Sequence, residues 1–93
     1  MLIIKVIQGN KEATFKSSNS AAMNKLVDAF TVGKRLFNPA ERFVMEVYYM
    51  SCEKPVMLDF AYDWSGVQTI YNNYYADKYK PKIIEAIKAD PLF

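Results

Sequence analysis

The chain has 93 residues, of which 52% are hydrophobic and 24% are charged, and its formal net charge is +2. This composition excludes a disordered tail, a collagen-like repeat and a disulfide scaffold, and the length allows one compact domain spanning residues 1–93. The chain contains no histidine, which excludes Ser-His and Cys-His catalysis, histidine-ligated zinc and an unperturbed titration switch near neutral pH.

The N-terminal segment predicts a β-hairpin. Residues 2–8 alternate between two faces, Gly9 and Asn10 tolerate the positive φ of a tight turn, and a second alternating run follows at 12–17. The residues expected on the buried side are Leu2, Ile4, Val6, Ala13 and Phe15.

A helix of about five turns is predicted next. The serine-rich segment 17–20 supplies N-cap residues, and apolar residues recur every three or four positions from Met23 to Phe37. Asn38 and Pro39 end this helix, because the residue before a proline avoids the α conformation. The segment 38–41 also fits a capping box that opens another helix.

Residues 42–51 favour a strand over that second helix, because they are rich in β-branched and aromatic side chains. A turn at 53–55 leads into a further alternating run at 56–63, so we expect one helical turn followed by a second hairpin. Strict alternation places on the core side Phe43, Met45, Val47, Tyr49, Val56, Leu58, Phe60 and Tyr62. It places on the opposite side Arg42, Glu46, Tyr48, Asp59 and Asp63.

Two helices are predicted at the C-terminal end. Ser65 and Gln68 form a capping box that begins the first, and the pair at 80–81 ends it and starts a short last helix, which stops at 90–91. The order ββαββαα predicts an α+β fold, in which a four-stranded antiparallel sheet made of two hairpins has its helices packed on one face.

The single cysteine, the short apolar opening segment and the ratio of lysine to arginine indicate the compartment and the source of the protein. Cys52 is the single cysteine, so we expect a free thiol in a surface turn and a reducing compartment. The apolar opening segment is too short for a signal peptide, and we expect a cytoplasmic protein. Ten lysines against two arginines are typical of an AT-rich genome such as that of a small phage or mobile element.

The 15% aromatic share, without a catalytic constellation, indicates a non-enzymatic protein-binding module, an inhibitor or adaptor that acts on a larger host complex. We expect no cofactor and no metal. The sheet face without helices is the expected interaction surface for a partner or a second copy, unless the third helix or another subunit covers it. The candidate partner-binding residues are Arg42, Tyr48, Trp64, Tyr75, Lys78 and Tyr79, with Glu46, Asp59 and Asp63 as an acidic rim.

Alternative interpretations concern the same residues. A tyrosine- and lysine-rich segment offers single-stranded RNA or DNA binding through Tyr75, Lys78, Tyr79, Lys80 and Lys82, although helical spacing also fits a solvated helix end. The three acidic residues suggest a metal site, but Asp59 and Asp63 would lie about 13 Å apart along a strand, too far to share an ion. Trp64 also fits a lid over the core.

Overall fold

The computed structural model describes residues 1–18, 20–31, 36–51 and 54–88. Within these ranges the chain forms a four-stranded antiparallel sheet and three helices, in the order ββαββαα. The strands are β1 (Leu2–Gln8), β2 (Lys11–Ser17), β3 (Val44–Ser51) and β4 (Lys54–Ala61). The helices are α1 (Ala21–Thr31), α2 (Trp64–Tyr75) and α3 (Lys80–Lys88). The predicted α+β architecture is confirmed.

The strand order in the sheet is β2-β1-β3-β4, so the two hairpins meet along β1 and β3 and leave β2 and β4 at the edges. The hydrophobic core lies between the sheet and the helices. It is built from Ile4, Val6, Met45, Val47 and Leu58 on the sheet side and from Met23, Leu26, Phe30, Val67 and Ile70 on the helix side. Ile83 of α3 packs against the same core, so all three helices cover one face.

The first hairpin forms as predicted. β1 and β2 are joined by the two residues Gly9 and Asn10, and their seven cross-strand pairs run from Gln8 opposite Lys11 to Leu2 opposite Ser17. Gly9 has a φ of 60°, as expected for the first central position of a type II′ turn. The expected core residues Leu2, Ile4 and Val6 are buried, and Ala13 and Phe15 are half-buried against them.

The second hairpin departs from strict alternation within β4. Val47 lies opposite Asp59, whereas the next residue of β3, Tyr48, lies opposite Met57. β4 therefore contains one extra residue, Leu58, at a β-bulge. Because side chains alternate between faces along a strand, this single insertion moves every later side chain of the strand to the face opposite the expected one.

The prediction that Phe60 and Tyr62 face the core is therefore wrong, as is the prediction that Asp59 faces away. Phe60 and Tyr62 are 52% and 47% exposed, while Ala61 between them is buried. The other residues expected in the core of this hairpin are placed as predicted: Phe43, Met45, Val47 and Leu58 are buried, and Tyr49 and Val56 are half-buried.

The helix predicted to run to Phe37 is described as α1 over Ala21–Thr31. Residues 32–35 lie outside the described residues, and the chain is not helical at Leu36 and Phe37. Phe37 nevertheless stays in the core, because its N–H donates to the carbonyl of Ala29 over 3.0 Å and its ring lies 5.3 Å from that of Phe30. Phe37 therefore belongs to the core although it does not lie in a helix.

The loop at 38–41 forms a single turn instead of opening another helix. Glu41 N–H donates to the carbonyl of Asn38 over 3.2 Å, and Asn38 Oδ1 accepts from Ala40 N–H over 2.9 Å. The side chain of Gln8 anchors this turn to the end of β1: its Oε1 accepts from Asn38 N–H, and its Nε2 donates to the carbonyls of Asn38 and Glu41. This buried amide is fully paired and positions the start of β3.

The ends of α2 also differ from the prediction. Its N-cap is Asp63, whose Oδ1 accepts from Gly66 N–H over 2.8 Å, so Ser65 does not cap the helix. A Cβ at Gly66 would lie 2.8 Å from that of Ala61, so glycine allows α2 to pack closely on β4. The helix ends at Tyr75, before the Lys80–Pro81 pair that was expected to break it.

Asp77 terminates α2 through a Schellman turn. It has a φ of 57°, its N–H donates to the carbonyl of Tyr74, and Lys78 N–H donates to the carbonyl of Asn73. Pro81 then lies in the first turn of α3, where its missing N–H has no helical partner to lose. The predicted thiol at Cys52 and the predicted helix stop at Asp90 and Pro91 lie outside the described residues.

Candidate functional site

The sheet face opposite the helices, called the open face below, carries no helix in the described part of the chain. Its residues are Ile3, Lys5 and Ile7 of β1, Glu12, Thr14 and Lys16 of β2, Val44, Glu46, Tyr48 and Met50 of β3, and Met57, Phe60 and Tyr62 at β4. The expected third helix does not cover this face, because α3 packs against the core on the other side.

Five large hydrophobic side chains are exposed on the open face: Ile7, Val44, Met57, Phe60 and Tyr62, called the apolar patch below. Each is between 40% and 52% exposed, and these five are more than half of the nine such side chains among the described residues. At about 150 to 250 Å² for a fully exposed large side chain, they present about 450 Å². Ile7 pairs with Val44 across the strands, and the rings of Phe60 and Tyr62 lie 5.5 Å apart.

A connected polar group adjoins the apolar patch. Lys5 and Glu46 are direct cross-strand partners, and Tyr48 lies on the same face two residues after Glu46. Tyr48 Oη donates to Glu46 Oε2 over 2.9 Å, and Lys5 Nζ lies 5.7 Å from the centre of the Tyr48 ring. The hydrogen bond to Glu46 raises the pKa of Tyr48, which keeps its phenol protonated. The three side chains therefore hold one another in place before any partner arrives.

Glu46 and Tyr48 occupy the outward face of the sheet that the sequence predicted, but Asp59 does not. Asp59 lies on the helix side, where its Oδ2 accepts from Tyr79 Oη over 2.7 Å. Tyr79 is only 6% exposed and belongs to the core. Burial, together with the hydrogen bond to Asp59, raises the pKa of Tyr79. The prediction that Tyr79 is a surface contact is wrong.

The predicted acidic rim is not one structure. Asp63 is exposed but caps α2, and Asp59 faces the helices, so neither lies beside Glu46 on the open face. The carboxylates proposed for a shared metal therefore lie on different sides of the sheet. Among the described residues, no cluster of three or more Cys, Asp or Glu side chains is placed to hold a metal ion.

The remaining predicted contacts lie elsewhere. Tyr75 and Lys78 are exposed at the end of α2, and Tyr75 Oη donates to Asn24 Oδ1 of α1 over 3.3 Å. Trp64 is half-buried with its ring 5.4 Å from that of Phe30, which fits the lid over the core. Arg42 is exposed in the loop before β3. The predicted set is therefore divided between the open face and the helix side.

The sequence pattern did not identify Phe60 and Tyr62, which are the two aromatic and the two most exposed side chains of the patch. The segment 56–62 is apolar at both alternating positions except at Asp59, so its pattern did not specify which residues face the core. Asp59 is the one residue of this segment that interrupts the apolar pattern. A carboxylate inside an apolar strand is compatible with a bulge as well as with an outward position.

Two grooves on the helix side are weaker candidates for a functional site than the open face. A groove of about 550 Å³ between α1 and α2 is lined by Val27, Trp64, Val67, Gln68, Tyr71 and Asn72. A second groove of about 400 Å³ is lined by Tyr74, Tyr75, Asp77, Tyr79, Lys80 and Ile83. Burial raises the pKa values of Tyr71 and Tyr74 that border them. Neither groove contains a pair of groups with shifted pKa values suited to proton transfer near neutral pH.

Comparisons with known proteins indicate no function for this chain, so a functional proposal rests on the geometry of the structure. The chain matches no family model, no curated protein and no solved structure. Within the described residues, no helix is both long enough and apolar enough to cross a membrane. The open face is therefore the strongest candidate surface.

Proposed function

We propose that this chain is a non-enzymatic protein-binding module that uses the apolar patch of the open face to bind a partner protein. The observation that carries the proposal is the concentration of five exposed apolar side chains on the sheet face that the helices leave uncovered. An exposed apolar patch of this size on a small domain is typical of an interaction site.

The energetics fit a partner interface. Burying about 450 Å² at about 25 cal/mol per Å² contributes on the order of 11 kcal/mol, which is similar to the cost of association. Burial of the patch alone therefore leaves little net free energy of binding, and the polar residues around the patch must contribute as well. A standard interface covers about 800 Å² on each side and is about 57% apolar, so the patch supplies about the apolar share of such an interface and the polar residues around it must supply the rest.

Charge on the open face favours a protein over a nucleic acid. Lys5 and Lys16 are balanced by Glu12 and Glu46 on the same face, whereas a single-strand groove is positively charged along its length. The proposed tyrosine and lysine site at the end of α2 is also weakened, because Tyr79 is buried and Lys82 Nζ donates to the carbonyl of Leu58 over 3.0 Å.

The mode of action we propose is steric. On the open face the bonded polar group of Lys5, Glu46 and Tyr48 adjoins the apolar patch, so the domain acts by occupying a surface, as an inhibitor or adaptor does on a larger host complex. The lysine-rich, arginine-poor composition supports an origin in a phage or mobile element, and the single cysteine supports work in the cytoplasm.

Affinity capture from the native or host cell with matched variants tests this proposal. Phe60→Lys places a charge in the apolar patch at a side chain that is 52% exposed, so it leaves the core unchanged. Ile84→Lys makes a comparable change on α3, outside the open face. We expect the wild type and the Ile84→Lys protein to capture the same protein stoichiometrically, and the Phe60→Lys protein to lose it.

The captured protein is then purified, and its binding is measured by calorimetry. Binding that is weakened at least tenfold by Phe60→Lys alone supports the proposal, as expected for a charge buried in an interface centre. Equal binding by both variants contradicts it. Capture of a single-stranded nucleic acid whose affinity falls steeply with salt would instead favour the alternative function.

A further inference from the structure

The two edges of the sheet are chemically different. At the β4 edge, Pro55 has no N–H to offer, Lys82 Nζ donates to the carbonyl of Leu58 over 3.0 Å, and Phe60 N–H donates to Asp59 Oδ1 over 2.8 Å. The bulge at Leu58 also breaks the regular spacing of the strand. These are the features by which proteins block the addition of another strand.

The β2 edge has a different backbone from the β4 edge, although it too carries charged side chains, at Lys11, Glu12 and Lys16. β2 pairs with β1 through seven consecutive pairs without a register shift, and it contains no proline or glycine. A two-residue hairpin closes on a hydrogen-bonded pair, here Gln8 and Lys11, and hydrogen-bonded pairs then alternate along the ladder. Ala13 and Phe15 therefore bond to β1, while Glu12, Thr14 and Lys16 direct their N–H and C=O groups toward the edge.

The sequence of this edge is complementary to itself. When two β2 strands run antiparallel and are centred on Thr14, Glu12 lies opposite the partner's Lys16, and Lys16 lies opposite the partner's Glu12. Thr14 meets the partner's Thr14, and the small Ala13 meets the partner's large Phe15. Opposite charges and paired threonines are favourable cross-strand neighbours, and a small side chain beside a large one avoids a steric clash.

We propose that the chain forms a homodimer by antiparallel pairing of β2 with β2 of a second copy, with the two-fold axis between the two Thr14 residues. The outward groups of Glu12, Thr14 and Lys16 supply about six backbone hydrogen bonds across the axis. The arrangement is self-complementary, as a two-fold interface requires. It also covers the half-buried side chains of Ala13 and Phe15.

The dimer and the proposed partner binding use different parts of the molecule. Pairing at β2 leaves the apolar patch on β1, β3 and β4 uncovered and joins the two open faces into one continuous sheet surface. The failure of one proposal therefore does not imply the failure of the other.

A charge exchange tests the register of the dimer by sedimentation equilibrium of the full chain. Glu12→Lys and Lys16→Glu each place like charges opposite each other twice in a homodimer, so we expect each variant to dissociate about tenfold more readily than the wild type. An equimolar mixture restores opposite charges in both pairs, and we expect a heterodimer. Lys25→Glu, an exposed position on α1, is the matched control and leaves the wild-type dimer intact.

Thr14→Pro provides a second test that does not depend on charge. The N–H that proline removes points away from β1, so the hairpin keeps its own ladder while the added strand loses its central bonds. We expect a folded monomer by circular dichroism and sedimentation. In wild-type protein, exchange of the Glu12, Thr14 and Lys16 amide hydrogens slows as concentration rises, while that of Ala13 and Phe15 is slow throughout.

A wild type that stays monomeric up to about 1 mM overturns the proposal, since that limit corresponds to about 4 kcal/mol of association. Failure of the charge-exchanged mixture to form a heterodimer overturns it as well. A dimer that survives Thr14→Pro but is lost in Phe60→Lys places the interface on the open face instead.

Discussion

The two hairpins of the sheet start from similar sequence patterns and reach different geometries. β1 and β2 pair without interruption, and the alternation of their side chains gives the correct buried face. β3 and β4 pair with a bulge at Leu58, and the alternation of β4 gives the wrong face from Asp59 onward. The difference brings Phe60 and Tyr62 into the apolar patch on the open face and interrupts the regular edge of β4.

The cause lies in how strongly each pattern specifies its register. In the middle of β1 and β2 the polar residues Lys5, Glu12, Thr14 and Lys16 all fall on one set of alternating positions, which favours the other set for the core. In β4 both faces are apolar, so alternation alone allows either register. The position is then decided by contacts from distant segments: Tyr79 bonds to Asp59, and Lys82 bonds to the carbonyl of Leu58.

The largest expected effect tests the bulge directly. Leu58→Ala should lower the free energy of unfolding by about 2 to 5 kcal/mol, because Leu58 is buried in the core. Phe60→Ala should lower it by less than about 1 kcal/mol, because that side chain is exposed. Chemical denaturation of both variants measures the difference. Similar large losses would show that both residues face the core and that β4 has no bulge.

The bond between Asp59 and Tyr79 fixes the bulge to the helix side, and its loss is the next largest effect. Tyr79→Phe should lower the free energy of unfolding by about 1 to 2 kcal/mol at neutral pH, since Asp59 loses this hydrogen-bond donor. Urea denaturation at pH 7 measures the loss. An unchanged stability would mean that the bond does not hold the second hairpin in its register.

The pH dependence of the same variant is a separate test. Folding raises the pKa of Tyr79 above the value of about 10 found in the unfolded chain, so its contribution is complete below pH 10 and is lost as pH rises from there. Above pH 10, wild-type stability should fall by up to about 1.4 kcal/mol per pH unit more steeply than that of Tyr79→Phe. Parallel curves for the two proteins would contradict the raised pKa.

The turn of the regular hairpin gives a smaller effect. Gly9→Ala should cost about 1 kcal/mol of stability, because alanine is disfavoured at the positive φ of Gly9. Asn10→Ala is the control at the adjacent turn position and should cost less than about 0.5 kcal/mol. Thermal unfolding of the two variants compares the costs. A larger loss for Asn10→Ala would show that the turn is of another type.

The smallest effect on stability concerns the blocked edge. Lys82→Met removes the donor to the carbonyl of Leu58 and should cost less than about 1 kcal/mol. The substitution should also leave the β4 edge less protected against pairing with another copy of the chain. Light scattering should therefore show more self-association for Lys82→Met than for Lys80→Met, the control at a neighbouring exposed position. Equal scattering by both variants would mean that Lys82 does not protect β4.

The candidate site was partly predictable. Glu46 and Tyr48 were placed correctly because β3 keeps strict alternation through both. Tyr79 was placed wrongly because its spacing from Tyr75 assumes one continuous helix. The positive φ of Asp77 ends α2 and changes the direction of the chain, so Tyr79 is carried inward to Asp59 while Tyr75 stays exposed. The phase of a helical pattern does not continue through a left-handed residue.

The amino-acid sequence alone determined the order of strands and helices, the first hairpin with its buried side, and the absence of histidine chemistry, because each depends on composition or on neighbours a few residues apart. The tertiary structure decided the bulge of β4, the ends of α2 and the exposure of Phe60 and Tyr62. A shift of one residue in strand register, or of one turn in helix length, is enough to change each of these features. Such small steps are selected by packing between segments distant in the chain, as between Asp59 and Tyr79, and a local pattern contains no record of that packing.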